Sequence, residues 1–137
     1  MFTQIMTPVD LAHVDRLSKA LDTAAQLSRL YGAPVCYVAV TSTEPTDVAH
    51  TPEEFAGKLQ ALAEEQAAKH SIQTSSKALV AHDPSIDLDK TLRKAVDEVK
   101  ADLVVIQSHI PNLADHLWPS HGGSLAGHSR ASVFVVR

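Results

Sequence analysis

Four histidines, His109, His116, His121 and His128, crowd one stretch near the end of the chain, with Asp115 beside His116. Imidazoles with a carboxylate form the ligand set of zinc and similar borderline metals. Their intervals of seven, five and seven residues match no familiar ligand spacing, so they read as solvated or helix-capping side chains. Ser120 beside His121 is a still weaker nucleophile and base. Neighbouring residues do not face each other on a helix, and no strained Gly-x-Ser-x-Gly turn is present. No catalytic residue and no metal ligand is therefore assigned. Trp118, in the same loop, reads as a partly buried anchor. Asp10, at the end of an apolar run, has two readings: a helix cap or a carboxylate facing a ligand. Cys36 is the single cysteine and lies in an apolar run, which excludes a disulfide framework and a thiolate metal centre.

Composition narrows the class of protein. With 137 residues, 45% apolar and 20% charged, the chain reads as one soluble globular domain. A net charge of −4, with Arg16, Lys19, Arg29, Lys58 and Lys69 scattered, argues against a nucleic-acid groove. The opening Met1-Phe2-Thr3-Gln4 has no basic region, and no segment is long and apolar enough to span a bilayer. A cytoplasmic location is expected.

Alternating strand and helix signals must position these groups. Residues 2 to 9 read as a short strand. A helix follows, with Val14, Leu17, Leu21, Ala24, Leu27 and Tyr31 on one face. It closes at Gly32, before Pro34. Residues 35 to 40 read as a buried strand, and the polar link from 41 to 50 is expected to move. Thr51-Pro52-Glu53-Glu54 is a capping box opening a helix that carries Phe55, Leu59, Leu62 and Ala63 inward and ends near Lys69-His70. Residues 72 to 81, polar at Gln73 to Lys77, suit an edge strand. Leu88, Leu92, Ala95, Val96 and Val99 mark a third helix, capped by Asp83 or Asp87.

The runs Leu103 to Ile106 and Val133 to Val136 lack polar alternation, so both are expected to be buried on both faces of a parallel sheet. Gly122, Gly123 and Gly127 leave any last helix, starting between Ser120 and Ser124, short or distorted. The order of signals predicts an α/β fold: a single-domain, open parallel sheet with right-handed crossovers. Its ligand crevice lies beyond the carboxyl ends of the strands, which directs attention to residues 107 to 130.

Five short signals then fall in order: Pro8-Val9-Asp10, Tyr31-Gly32-Ala33, Asp83-Pro84, Ala-Asp-Leu-Val-Val from Ala101 to Val105, and Val135-Val136-Arg137. In this arrangement the chain resembles the universal stress protein family over nearly its whole length. The resemblance implies one domain, 1–137. Its fold would be a five-stranded sheet, order 3-2-1-4-5, of the flavodoxin-like, adenine nucleotide alpha hydrolase-like kind. It also implies that Asp10 faces Gln107 and Ser108 across the crevice. A homodimer would form through Val133, Phe134, Val135 and Val136.

One branch of that family binds ATP through Gly-x2-Gly-x9-Gly-Ser/Thr after the fourth strand. Carried over, the first two glycines fall on Gln107 and Ile110. Counting back from the last strand puts the third on Pro119, followed by a matching Ser120, and the two halves disagree by one residue. Gly123-Ser124 fits only with three extra residues. Ile110 resists positive φ, Gln107 adds bulk and Pro119 lacks an amide hydrogen. Losing two hydrogen bonds to a charged phosphate, roughly 1.5–3 kcal/mol each, weakens binding by about a hundredfold or more. No lysine lies between Asp102 and Arg137 to compensate.

The resemblance also places Asp10 and the Val40 backbone where relatives hold ribose and adenine. Ser108 and Ser120 are the remaining nucleotide-side candidates. The expectation is a stress-response protein without a cofactor, acting by dimerisation and contacts with unknown protein partners. The alternatives are a member binding ATP with Mg or AMP through a rebuilt loop, with slow hydrolysis, and a metal-binding variant using the loop histidines.

Overall fold

Unbroken apolar runs become strands whose alternate residues feed two different cores. The computed structural model describes residues 1–108, 125–127 and 129–137, and of Ser85 only the backbone. The strands are β1 (Ile5–Pro8), β2 (Val35–Thr41), β3 (Thr74–Val80), β4 (Leu103–Gln107) and β5 (Ser132–Val136). The helices are α1 (Ser18–Tyr31), α2 (Pro52–His70) and α3 (Pro84–Val99), with a 3-10 segment, Leu11–Arg16, ahead of α1. The sheet has the order β3-β2-β1-β4-β5 and is parallel throughout. On one face Ile5, Tyr37 and Val105 pack with Leu21, Ala24 and Leu59 of α1 and α2. On the other, Met6, Val38 and Ile106 pack with Leu88, Leu92 and Val96 of α3 and with Leu125. Covering both faces explains why β1, β2 and β4 carry no polar alternation.

The two ends of the sheet differ from the centre. β3 is a half-buried edge, as its polar residues predict. β5 corrects the expectation of burial on both faces, and it is the opposite edge, as the order 3-2-1-4-5 implies. Phe134 is 46% exposed and Val135 40%. An apolar run fixes the residue types that a strand presents, not its place in the sheet.

Local chemistry sets the boundaries. The ladder of β1 begins at Ile5, later than residue 2, because the Asp102 carboxylate takes the preceding amides. It accepts from Thr3 N–H at 2.8 Å, Gln4 N–H at 3.0 Å and the Thr3 hydroxyl at 3.0 Å. Burial pushes the Asp102 carboxyl up, but these hydrogen bonds outweigh it and hold the group below its ordinary range. Gly32 closes α1 at φ 64°, in the left-handed region that glycine adopts without strain. Thr51 caps α2 by accepting from Glu54 N–H at 3.1 Å. Asp83 takes the cap position of α3, its carbonyl accepting from Asp87 N–H at 2.8 Å, so Asp87 belongs to the first turn. Among the described residues, the last helical stretch is 125–127.

Candidate functional site

A cleft of about 200 Å³ opens over the carboxyl ends of β1 and β2. Asp10, Val40, Thr46, Val48, Phe55 and Leu88 are among the residues lining it. Two of the four sequence-derived positions, Asp10 and Val40, therefore meet in one place. Ser108 directly follows β4 and is not among the residues lining this cleft. Ser120 lies outside the described residues, as do Ile110, Pro119, Trp118 and His109, His116, His121 and His128.

Val40 presents backbone rather than side-chain chemistry. In a parallel ladder, successive residues turn their N–H and C=O pairs to opposite neighbours. The Val38 carbonyl accepts from Val9 N–H at 2.8 Å, and the Thr41 carbonyl accepts from Ala81 N–H at 2.8 Å. Val40 therefore turns both groups towards β1, just where β1 has ended at Pro8 and the chain veers off at Asp10. Among the described residues no backbone hydrogen bond meets them from that side. One donor and one acceptor side by side suit the edge of a flat heterocycle.

Asp10 has the capping role and a second partner. One carboxylate oxygen accepts from Ala12 N–H at 3.0 Å, opening the 3-10 segment. The other lies 2.8 Å from Nδ1 of His13. His13 is the kink of that segment, at φ −135°, which delays α1 to Ser18 although Val14 and Leu17 keep the helical spacing. The carboxylate is only 13% exposed, so its free lone pairs are directed rather than solvated at random.

The link between β2 and α2 supplies the wall that sequence reading missed. The link expected to move runs from 41 to 50; Thr41 belongs to β2, and the rest is tied at several points. Thr46 N–H donates to the Ala49 carbonyl at 2.8 Å, and its hydroxyl oxygen accepts from the Val48 and Ala49 amides at 3.3 and 3.2 Å. From α2, Glu54 accepts from His50 N–H at 3.1 Å, and the Lys58 ammonium donates to the Val48 carbonyl. The hydrogen bond from the His50 amide, helped by the nearby Lys58 charge, holds the Glu54 carboxyl below its ordinary range. Ala49 is 5% exposed. The available signal was Thr46, three residues before a buried alanine, followed by Glu54 and Lys58 one helical turn apart.

At β4 the backbone is otherwise engaged. Ser108 N–H donates to the Val136 carbonyl at 2.7 Å, towards β5 and away from the cleft. Gln107, which stands at the first glycine position implied by the resemblance, buries its side-chain carbonyl oxygen, and among the described residues that oxygen has no hydrogen-bond partner. Among the described residues, no group of three His, Cys, Asp or Glu is placed to hold a metal ion. Nor is any described helix long and apolar enough to cross a membrane.

An open parallel sheet whose order reverses at β1, with a cleft over the strand ends, defines an α/β protein of the adenine nucleotide alpha hydrolase-like class. The sequence model of the universal stress protein family matches residues 1–137, and the chain belongs to that family. Universal stress protein G of Salmonella typhimurium (strain LT2) is 26% identical over 148 aligned positions, covering 100% of both chains. Among solved structures, a universal stress protein from Archaeoglobus fulgidus has a TM-score of 0.70 at 22% identity, with 100% of both chains covered. A universal stress protein in complex with cAMP has a TM-score of 0.70 at 20% identity, covering 99% of this chain and 97% of the other. These likenesses agree with the sheet order and the layers described above.

Proposed function

We propose that this protein is a cytoplasmic universal-stress-type protein that acts through a homodimer and contacts with other proteins, without retaining a nucleoside triphosphate. The Ser108 amide carries this reading. It is the backbone donor that directly follows the first glycine position implied by the resemblance, and it is spent on Val136 at 2.7 Å. Gln107, Ile110 and Pro119 at the glycine positions add bulk and remove a donor. A triphosphate would then lack the ring of amides that normally repays its desolvation. The dimer half of the reading rests on β5, an edge with open backbone groups and exposed Phe134 and Val135, which invites pairing with a second copy. Native mass spectrometry of freshly purified protein tests both halves. A dimer mass without bound nucleotide is expected; a retained ATP, or a monomer at micromolar concentration, counts against it.

A second reading is favoured by Val40 and Asp10. The cleft would take the base and sugar of a nucleotide; one universal stress protein of similar fold has been solved in complex with cAMP. Val40 would read the base edge through its N–H and C=O, and Asp10 would take a sugar hydroxyl. ATP with Mg and slow hydrolysis belongs to this reading, with a rebuilt loop supplying the phosphate contacts.

A further inference from the structure

Besides β5, the strand of the proposed dimer, the sheet has a second open edge, β3. The backbone of β3 alternates. The Gln73 carbonyl accepts from Val35 N–H at 3.0 Å, and Ala81 N–H donates to the Thr41 carbonyl at 2.8 Å. Odd-numbered residues from 73 to 81 therefore face β2. Thr74, Ser76, Ala78 and Val80 turn N–H and C=O outward, and among the described residues no backbone group bonds to them. Edge strands are commonly guarded by a free lysine. Here Lys77, in the middle of the strand, has its ammonium 3.2 Å from Glu98 of α3, so the guard is drawn aside. At the carboxyl end of the strand Val80 is 51% exposed.

The two helices flanking this edge differ in charge. On the α3 side, Lys77 at 3.2 Å and Lys94 at 3.7 Å share Glu98, so these three carry one positive charge in excess. Lys94 is well exposed. On the α2 side, the Thr74 hydroxyl donates to the Ala63 carbonyl at 2.7 Å. Residues 60 to 67 around that carbonyl include Glu64 and Glu65 and no lysine or arginine.

We infer that β3 is a docking edge for an extended segment of a partner protein whose alternate residues are acidic. This rests on the reading of a protein that acts through contacts with other proteins, and it names the surface and the kind of partner. Outward donor and acceptor pairs at strand spacing are matched by extended backbone and not by a helix. Side chains of an added strand alternate between the two faces. Carboxylates on one face meet the excess charge of Lys77 and Lys94. Apolar residues on the other lie beside Ala78, which packs on the α1 and α2 core, and Val80. A second copy is the poorer occupant. With β5 already paired, pairing through β3 as well would add copies without end.

The probes are two end-blocked peptides of about seven residues, the length of β3, one alternating valine with glutamate and the other valine with lysine. Amide exchange of the full chain is followed residue by residue with each peptide at up to about 1 mM, in about 20 mM and about 300 mM salt. The glutamate peptide is expected to slow exchange at Thr74, Ser76, Ala78 and Val80. Ser75, Lys77 and Leu79, whose amides face β2, are expected to stay unchanged. It is expected to bind at least about threefold more tightly than the lysine peptide in low salt, with the margin shrinking in high salt and in Lys94→Gln. Ala78→Pro removes one outward donor where an edge strand tolerates proline, and is expected to abolish the protection.

Absence of the alternating protection, its persistence in Ala78→Pro, or a lysine peptide that binds as tightly overturns the inference. So does a margin indifferent to salt and to Lys94→Gln. Protection of the same amides that grows with protein concentration before any peptide is added overturns it in favour of a second copy. A nucleotide-free dimer mass beside any of these results leaves the proposed function standing, whereas a monomer mass or retained ATP counts against that reading separately.

Discussion

Asp10 and His13 hold each other at the mouth of the cleft, with 2.8 Å between a carboxylate oxygen and Nδ1, while the other carboxylate oxygen caps the segment at Ala12. The cap and His13 thus already engage the side chain that the second reading assigns to a sugar hydroxyl. Asp10→Ala is expected to cost about 1 kcal/mol of stability through the lost cap, and Asp10→Asn, which can still accept from Ala12, a few tenths. Urea unfolding of the three proteins checks this. Equal losses for both variants would mean that the negative charge, not the cap, is what matters there.

Asp102 ties the start of β1 to the start of β4, and its carboxyl is held below the ordinary aspartate value of about 3.9. A depressed folded value means that the unfolded chain takes up the proton first as pH falls. The contribution is thus full above the ordinary value and is lost as pH drops through the folded one. Asp102→Asn is expected to cost about 1 kcal/mol at neutral pH, discounted for partial exposure. The difference from wild type should vanish in strong acid. Denaturation midpoints across that range provide the check.

Lys58 fastens the 42–50 wall to α2 through the Val48 carbonyl. Lys58→Met keeps the apolar stem and removes the donor. Amide exchange at Val48, Ala49 and His50 is expected to quicken by about fivefold or more, a local opening that leaves the protected core unchanged. Lys58→Arg should restore most of the protection. Unchanged exchange in the methionine variant would show that the Thr46 turn alone holds the wall.

The sequence made much of the fold legible, because burial writes itself into residue type. Leu103 to Ile106 and Val35 to Val40 could only be strands covered on both sides, and Thr51 to Glu54 could only open a helix. What stayed hidden was whatever depends on distant partners. Nothing in Thr3-Gln4 announces that Asp102 will claim their amides, and nothing in the polar link after Thr41 announces Lys58. The run from Val133 to Val136 read as buried on both faces because its apolar residues do not say what covers them; only the resemblance put it at the edge. That Asp10 and Val40 line one cleft was legible through the resemblance. The occupied Ser108 amide was not, since it depends on the registry of β4 with β5.

The exposed face of β5 gives a direct handle on association. Phe134→Glu places a charge where pairing with a second copy would bury it, at a side chain already 46% exposed. Sedimentation velocity is expected to show a dimer for wild type and a monomer for the variant, with unfolding stability of the protomer little changed. A dimer that survives the substitution would move the interface elsewhere.

Calorimetric titration of Mg-ATP into the purified full chain tests most directly whether the phosphate arm of this fold has been given up. With Ser108 committed to Val136 and bulky residues at the glycine positions, no saturable heat is expected, which corresponds to a Kd weaker than about 1 mM. Saturable binding in the micromolar range would contradict it.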